Sequence, residues 1–249
     1  MFYFNNIYSF NISKKPILFS VEGNIGSGKS TLVKILQDRF ADENIKICFL
    51  QEPVDEWSQF CDANGETILE KYYKDQESYS FQFQMMAYIS RLKSLRDVLD
   101  KNYDVIITER SVLTDRNVFA KMLFDSEKLS KIEYSIYTKW FDEFLKDIPK
   151  QNIIYLKTKP KIAHQRVINR ARNGEDIPLD YLEKCHEYHQ KWLHRGVAGQ
   201  MKPFQIDGNV NFFENTISLD DCIVNISKYI IKIMCNSDKN LQNVLSASN

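Results

Sequence analysis

The chain has 249 residues, long enough for one large α/β domain with a buried core. Hydrophobic residues make up 43% and charged residues 27%, and Lys plus Arg equals Asp plus Glu at 33 each. No global field therefore recruits nucleic acid or an anionic membrane, so an anionic ligand must be caught by a local site. No apolar run is long enough to span a bilayer. The cysteines Cys48, Cys61, Cys185, Cys222 and Cys235 form neither a close pair nor an even set. That pattern suits free thiols in a reducing, cytoplasmic compartment better than a disulfide framework.

Residues 1–15, MFYFNNIYSFNISKK, lack the continuous apolar core of a signal peptide and the several arginines of a mitochondrial presequence. They read as a leader or surface-packing segment, with mitochondrial import a lesser alternative. Ile17–Glu22 is a compact strand-forming run, followed by a glycine loop and the helical pattern TLVKILQDRF. Further apolar strands are expected at Ile45–Leu50, Val105–Thr108, Asn152–Leu156 and Lys202–Ile206. Helical periodicity covers Glu77–Asp100, Lys131–Lys146, Lys161–Arg170, Pro178–His194 and Asp220–Cys235, with Pro178 placed as a first helical residue. Apolar strands alternating with helices predict a parallel sheet of about five strands covered on both faces. With no repeat or linker, residues 16–235 read as one domain and the Asn-rich residues 236–249 as a flexible tail.

The loop Gly23-Asn24-Ile25-Gly26-Ser27-Gly28-Lys29-Ser30, followed by Thr31, matches the phosphate-loop pattern G-x-x-x-x-G-K-[ST]. Its glycines let successive N–H groups converge on phosphate oxygens, and the next helix turns its positive end to the same anion. Lys29 supplies a mobile charge for the terminal phosphates, and the Ser30 hydroxyl can reach a magnesium ion. By itself the motif means nucleotide binding and does not separate kinase, GTPase and motor. The base-reading N-K-x-D of guanine-nucleotide switches is absent.

Glu52-Pro53-Val54 closes the second strand, and Glu109-Arg110-Ser111 closes the next. The carboxyl ends of parallel strands face the ligand crevice, so Glu52 and Arg110 are expected side by side. A carboxylate beside a guanidinium stays ionised and can accept a proton from an attacking hydroxyl, while the arginine steadies phosphoryl charge.

Taken in order, EGNIGSGKST, QEPVDEW, SFQFQMMAYISRL, ITERSVLTDR and RARNGEDIPLDYLEKCHEYHQKWL resemble the deoxyribonucleoside kinases, the group that holds deoxycytidine, deoxyguanosine and deoxyadenosine kinases. The resemblance runs from about Ile17 to about Phe212. It implies a P-loop kinase fold with an arginine-rich lid, ATP as donor, magnesium held by Ser30 and Glu109, and a homodimer. It implies catalytic roles for Glu52, Arg110 and Lys29, with Glu52 as base on the 5′-hydroxyl. The ATP site it implies takes in Gly23, Asn24, Gly26, Ser27, Gly28, Lys29, Ser30 and Thr31, the lid residues Arg166, Arg170 and Arg172, and also Asn211 and Phe212. For the nucleoside it implies Ile25, Trp57, the Phe83-Gln84 pair on the base, Phe119 stacking on the base, and Tyr73 with Glu175 on the 3′-hydroxyl. Between Glu175 and Pro178 the chain is one residue shorter than the vertebrate pattern, so Glu175 is placed less securely than Glu52.

Arg91 lies two helical turns beyond Gln84 on the same face, and Asp115 five residues beyond Arg110. They match an Arg and an Asp of the deoxycytidine and deoxypurine members; Ala87, one turn beyond Gln84, is small and leaves room. Deoxyadenosine, deoxyguanosine and deoxycytidine are therefore expected ahead of thymidine. Arg166 and Arg170, four apart on one helix, repel unless an anion lies between them, which favours the lid. His186-x-x-His189 beside Cys185 has a metal-ligand look, but phosphoryl transfer takes oxygen-bound magnesium rather than zinc. Two alternatives stay open: a nucleoside-monophosphate kinase, which needs a cationic acceptor site, and a non-catalytic accessory protein keeping the kinase shape.

Overall fold

The computed structural model describes residues 15–41, 43–172, 174–195, 202–212 and 216–247. All of the expected leader except Lys15 lies outside the described residues. Five strands, β1 (Ile17–Glu22), β2 (Ile47–Leu50), β3 (Val105–Glu109), β4 (Gln151–Lys157) and β5 (Phe204–Asp207), run parallel in the order β2-β3-β1-β4-β5. The helices are α1 (Lys29–Arg39), α2 (Val54–Trp57), α3 (Ile68–Lys74), α4 (Gln76–Leu99), α5 (Val112–Thr114), α6 (Lys121–Asp125), α7 (Lys131–Phe144), α8 (Pro160–Arg170), α9 (Leu179–Arg195) and α10 (Thr216–Ala247). A π-helical turn, Asp115–Ala120, joins α5 to α6.

The strands carry apolar residues on both faces because both faces of the sheet are covered. Leu18 and Ile106 pack with Leu95 and Val98 of α4 on one side. Phe19, Val21, Val105 and Ile107 pack with Leu32, Val33 and Leu36 of α1 and with Ile223, Ile226 and Ile230 of α10 on the other. This alternation, residue by residue along β1 and β3, seats a helix on each face. It leaves the carboxyl ends of β1, β2 and β3 as neighbours. The fold is the expected α/β P-loop arrangement.

Local chemistry sets several helix starts. Thr67 and Glu70 form a capping box on α3, and Ser130 and Glu133 form one on α7. Pro160 opens α8, where its missing N–H costs nothing. Pro178 instead precedes α9, with its carbonyl accepting from Leu182 N at 3.4 Å. The second strand starts two residues later than expected, because Lys46 is engaged with Asp104 through both its N–H and its carbonyl. The last strand starts after Pro203, which cannot donate to a ladder.

The largest departure is α10, which begins four residues earlier than expected and continues past Cys235 to Ala247. Hydrophobic periodicity fades after Met234, but no Gly or Pro stands between 216 and 247 to stop the backbone. The segment from 236 to 247, expected as a flexible tail, is helical. The short elements α2, α3, α5 and α6 carry too few residues for a periodic signal and have no counterpart among the expected helices.

Candidate active site

The P-loop follows β1, Glu52 follows β2, and Glu109 and Arg110 close β3, so the strand order alone brings them together. A cavity of about 1140 Å³ lies at these strand ends, roofed by α3 and α4 on one side and by α8 with the Asn209–Phe212 segment on the other. Every predicted site residue lines it except Gly23 and Asn24.

Those two lie at the base of the loop. The Gly23 carbonyl accepts from Arg110 Nη1 at 2.7 Å. Asn24 is buried, its Nδ2 donating to Leu182 O at 2.8 Å and its Oδ1 accepting from Ile25 N. Both residues brace the loop from below.

At the donor end α1 begins at Gly28 with no side-chain cap, which leaves its first N–H groups for an anion. Gly26 adopts φ +73, and a Cβ there would stand 2.3 Å from the Ala163 carbonyl, so the loop lies directly on α8. Lys29 Nζ donates to Asn24 O at 2.8 Å. Burial, then the Arg110 charge, lower its pKa to about 7, against the opposing pull of Glu109, Glu52 and Glu22. Ser30 Oγ donates to Glu109 Oε1 at 2.6 Å, so a hydroxyl and a carboxylate share the rim of the loop.

Between donor and acceptor ends, Glu52 Oε1 receives Arg91 Nη2 at 2.9 Å and faces Arg110 Nε at 3.4 Å. Burial alone would raise this carboxyl, but Arg91, Arg110 and Lys29 outweigh it and hold the group down at about 2. Arg110 adopts φ 60, a left-handed conformation that costs a non-glycine residue roughly 1–3 kcal/mol unless its surroundings over-determine it. Its guanidinium lies 5.0 Å from the Phe119 ring centroid.

At the acceptor end Phe83 stands between Tyr72, stacked at 4.4 Å, and Trp57, edge-on at 5.6 Å. Trp57 is fixed by its Nε1 bond to Ser90 Oγ at 2.8 Å. Gln84 is buried in the cavity wall, and its Oε1 finds no hydrogen-bond partner among the described residues. Arg91 pairs with Asp115 through Nε at 2.9 Å and Nη2 at 3.3 Å. Burial pushes Asp115 up, while the same burial in Arg91 is overcome by the charges of Asp115 and Glu52, which raise Arg91. Asp115 and Phe119, four apart on the π-helical turn, share one face and both reach the cavity. Burial, then Tyr72 and Glu175, hold the Tyr73 hydroxyl protonated, which makes it a donor.

Over the donor end the lid arginines are already engaged. Arg166 donates to Ser27 O at 3.1 Å, Gly208 O at 2.8 Å and Val210 O at 3.2 Å. Arg170 and Arg172 both pair with Glu175, the latter at 2.9 Å. Backbone carbonyls take up the Arg166 donors, and the Glu175 carboxylate takes up Arg170. Glu175, whose side chain is only 6% exposed, is brought beside Tyr73 despite the shortened segment that follows it.

The chain is matched over residues 19–232 by the family model described as deoxynucleoside kinase. It belongs to the deoxynucleoside kinase family. Among its relatives, a probable deoxycytidine kinase of Fowlpox virus (strain NVSL) is 37% identical over 86% of this chain and 88% of its own length. Human deoxycytidine kinase is 38% identical over 70% of this chain and 74% of its own length. A mitochondrial deoxyguanosine kinase of Xenopus laevis is 34% identical over 70% and 72%. The chain is accordingly an enzyme, a deoxynucleoside kinase with ATP as phosphate donor and a nucleoside as acceptor.

Several cavity residues of the kinase are passed over by the sequence reading. Lys161, Gln165 and Asn169 of α8 line the donor side beside Arg166, and their spacing of four was the available signal. Tyr72 and Tyr181, joined hydroxyl to hydroxyl at 2.7 Å, line the acceptor side, and no local pattern announces a pair 109 residues apart. His189 is buried, with Nδ1 2.7 Å from Cys185 O and its ring parallel to Tyr155. Among the described residues no group of three or more His, Cys, Asp or Glu could hold a metal ion.

Proposed function

We propose that the kinase transfers the γ-phosphoryl group of ATP to the 5′-hydroxyl of a deoxyribonucleoside, with deoxyadenosine, deoxyguanosine and deoxycytidine ahead of thymidine, as a step of nucleotide salvage. The observation that carries the base preference is the buried Arg91–Asp115 pair in the same wall as the unpartnered Gln84 Oε1. Together they offer an amide acceptor, a carboxylate acceptor and guanidinium donors to a base edge that bears an exocyclic amine or a purine N7. The printed identities of the relatives, deoxycytidine and deoxyguanosine kinases, support the same reading.

In this mechanism Tyr73 and Glu175 hold the 3′-hydroxyl, and Phe83 and Phe119 flank the base. Glu52 orients the 5′-hydroxyl and takes its proton as the new O–P bond forms and the β,γ-bridging bond breaks, releasing ADP. Lys29, Arg110 and the lid arginines steady the charge on the moving phosphoryl group. Ser30 and Glu109, an all-oxygen pair 2.6 Å apart, suit magnesium, which would be held there with triphosphate oxygens and neutralise phosphate charge.

The kinase is further proposed to act in the cytoplasm, without nucleic acid as a partner, and as a homodimer. The reading of the compartment rests on five free cysteines. Support for a second copy comes from α7, where Ile132, Ile136, Trp140 and Phe144, spaced four apart, are 73%, 41%, 46% and 40% exposed. Exposed Ile89 stands on α4, which is tied to α7 through Tyr88 and Arg96. Steady-state kinetics with ATP and each of the four deoxynucleosides test the substrate reading. A kcat/KM for thymidine above all three others overturns the preference.

A further inference from the structure

Four carboxylates crowd the strand ends, and one of them, Glu22, has no place in the chemistry so far. It is fully buried and does not line the cavity. Both of its oxygens are committed: Oε1 accepts from Ser111 N at 2.9 Å, and Oε2 accepts from the Thr114 hydroxyl. Ser111 caps α5 directly after Arg110, and Thr114 is the last residue of that helix. Glu22 therefore binds the backbone that follows Arg110, from a strand 89 residues away.

Its two neighbours act on the same turn. Val21 O accepts from Arg110 N at 3.0 Å, and Gly23 O accepts from Arg110 Nη1 at 2.7 Å. Three successive residues at the end of β1 thus hold the backbone N–H of Arg110, the two groups that follow it, and its guanidinium. Arg110 needs this, because its φ of 60 is a left-handed conformation that a side chain bearing a Cβ avoids when left to itself. The turn directs Nε toward Glu52 at 3.4 Å instead of letting the chain run straight from β3 into α5. A buried carboxylate spent on a backbone N–H and a hydroxyl in another segment is an expensive way to cap three residues of helix, and an effective way to fix the residue just before it.

We propose that Glu22 is a positioning residue for phosphoryl transfer, acting through Arg110 by clamping the left-handed turn that aims its guanidinium. The inference rests on the reading of Arg110 as the group that steadies phosphoryl charge. Since Glu22 touches no ligand site, its loss acts on the transition state more than on substrate binding.

The test is a kinetic cycle on the full chain with ATP and deoxycytidine. Arg110→Ala lowers kcat by roughly 10²- to 10³-fold, the scale of losing one charge-stabilising donor. Glu22→Ala lowers kcat by about 10- to 100-fold, the scale of a displacement of about one ångström, with both KM values much less affected. Glu22→Gln keeps most of the rate, because its carbonyl accepts from Ser111 N while its amide donates to the Thr114 hydroxyl. The double variant Glu22→Ala, Arg110→Ala turns over no more slowly than Arg110→Ala alone, which a merely structural role does not produce. Should Glu22→Ala fail to fold, Thr114→Val removes one of the two clamps and shows a smaller kcat loss with the same lack of additivity. Additive losses, or a wild-type kcat in Glu22→Ala or Thr114→Val while Arg110→Ala is impaired, overturn the role of Glu22 alone. A wild-type kcat in Arg110→Ala overturns the reading of Arg110, and this inference with it.

Discussion

Glu52 sits where three cations converge, and that crowding decides what the residue can do. With its carboxyl held at about 2 rather than the ordinary 4.5, it is ionised throughout the working range of an enzyme. Its contribution to stability is full above 4.5 and is lost as the pH falls toward about 2. Glu52→Gln keeps the shape and one acceptor but cannot take a proton, so kcat should fall roughly 10²- to 10⁴-fold, while nucleoside affinity measured by calorimetry stays close to wild type. Normal turnover in that variant removes Glu52 from the chemistry. Lys29 shows the opposite electrostatics. An unfolded lysine keeps its proton to 10.5, while this one releases it at about 7, so its contribution to stability increases as the pH rises between those values. A bound triphosphate favours the charged form again. Binding at about pH 8 should therefore take up a proton that binding at about pH 6 does not. Calorimetry in buffers of different ionisation heat reads that uptake, and equal proton counts at the two pH values rule it out.

The elements that make the site are short or irregular. The loop into α1 has no side-chain cap, which leaves its N–H groups for a phosphate, and Asp115 and Phe119 stand on a π-helical turn between α5 and α6. The lid segment is registered on α3 by close packing. Gly174 adopts φ +75, and a Cβ there would stand 2.2 Å from Glu70 Cγ. Glu70 has little freedom to yield, since its carboxylate accepts from Thr67 N at 2.7 Å and Thr67 Oγ1 at 2.8 Å. Gly174→Ala should lift the lid off α3, displace the neighbouring Glu175, and raise the KM for the deoxynucleoside severalfold while the melting temperature changes little. An unchanged KM means the lid tolerates the shift. The strands and long helices were legible in the sequence because periodicity averages over many residues, as in Gln76–Leu99. Helices of three to seven residues, the π-helical turn and the helical run to Ala247 were not, because each depends on local hydrogen bonding that hydropathy does not encode.

At the scale of the whole molecule, α4 serves two purposes. One face packs on the sheet and carries Gln84 and Arg91 into the cavity, and its outer side lies along α7, whose stripe holds four of the eight exposed large hydrophobic residues among the described ones. Trp140 stacks on Phe144 in that stripe at 5.6 Å, although both remain about half exposed. Sedimentation of the wild type should show a dimer, and Trp140→Glu, which sets a charge in the middle of the stripe, should shift it to monomer. A wild-type chain that sediments as a monomer excludes this face as a homodimer contact.

From the sequence by itself came the phosphate loop, the strand-end carboxylates and arginine, and the order of the motifs. Each is written in contiguous residues whose spacing has its own physical reason. Tertiary structure alone decided how they are joined. It set Arg91 of α4 on Glu52 as well as on Asp115, placed Glu175 against two lid arginines, and set Asn24 and Gly23 to hold the loop and Arg110 from beneath. It also brought Glu22 under the Arg110 turn. Such contacts join segments far apart in the chain, and side-chain donors and acceptors find one another only after the sheet has stacked the strand ends together.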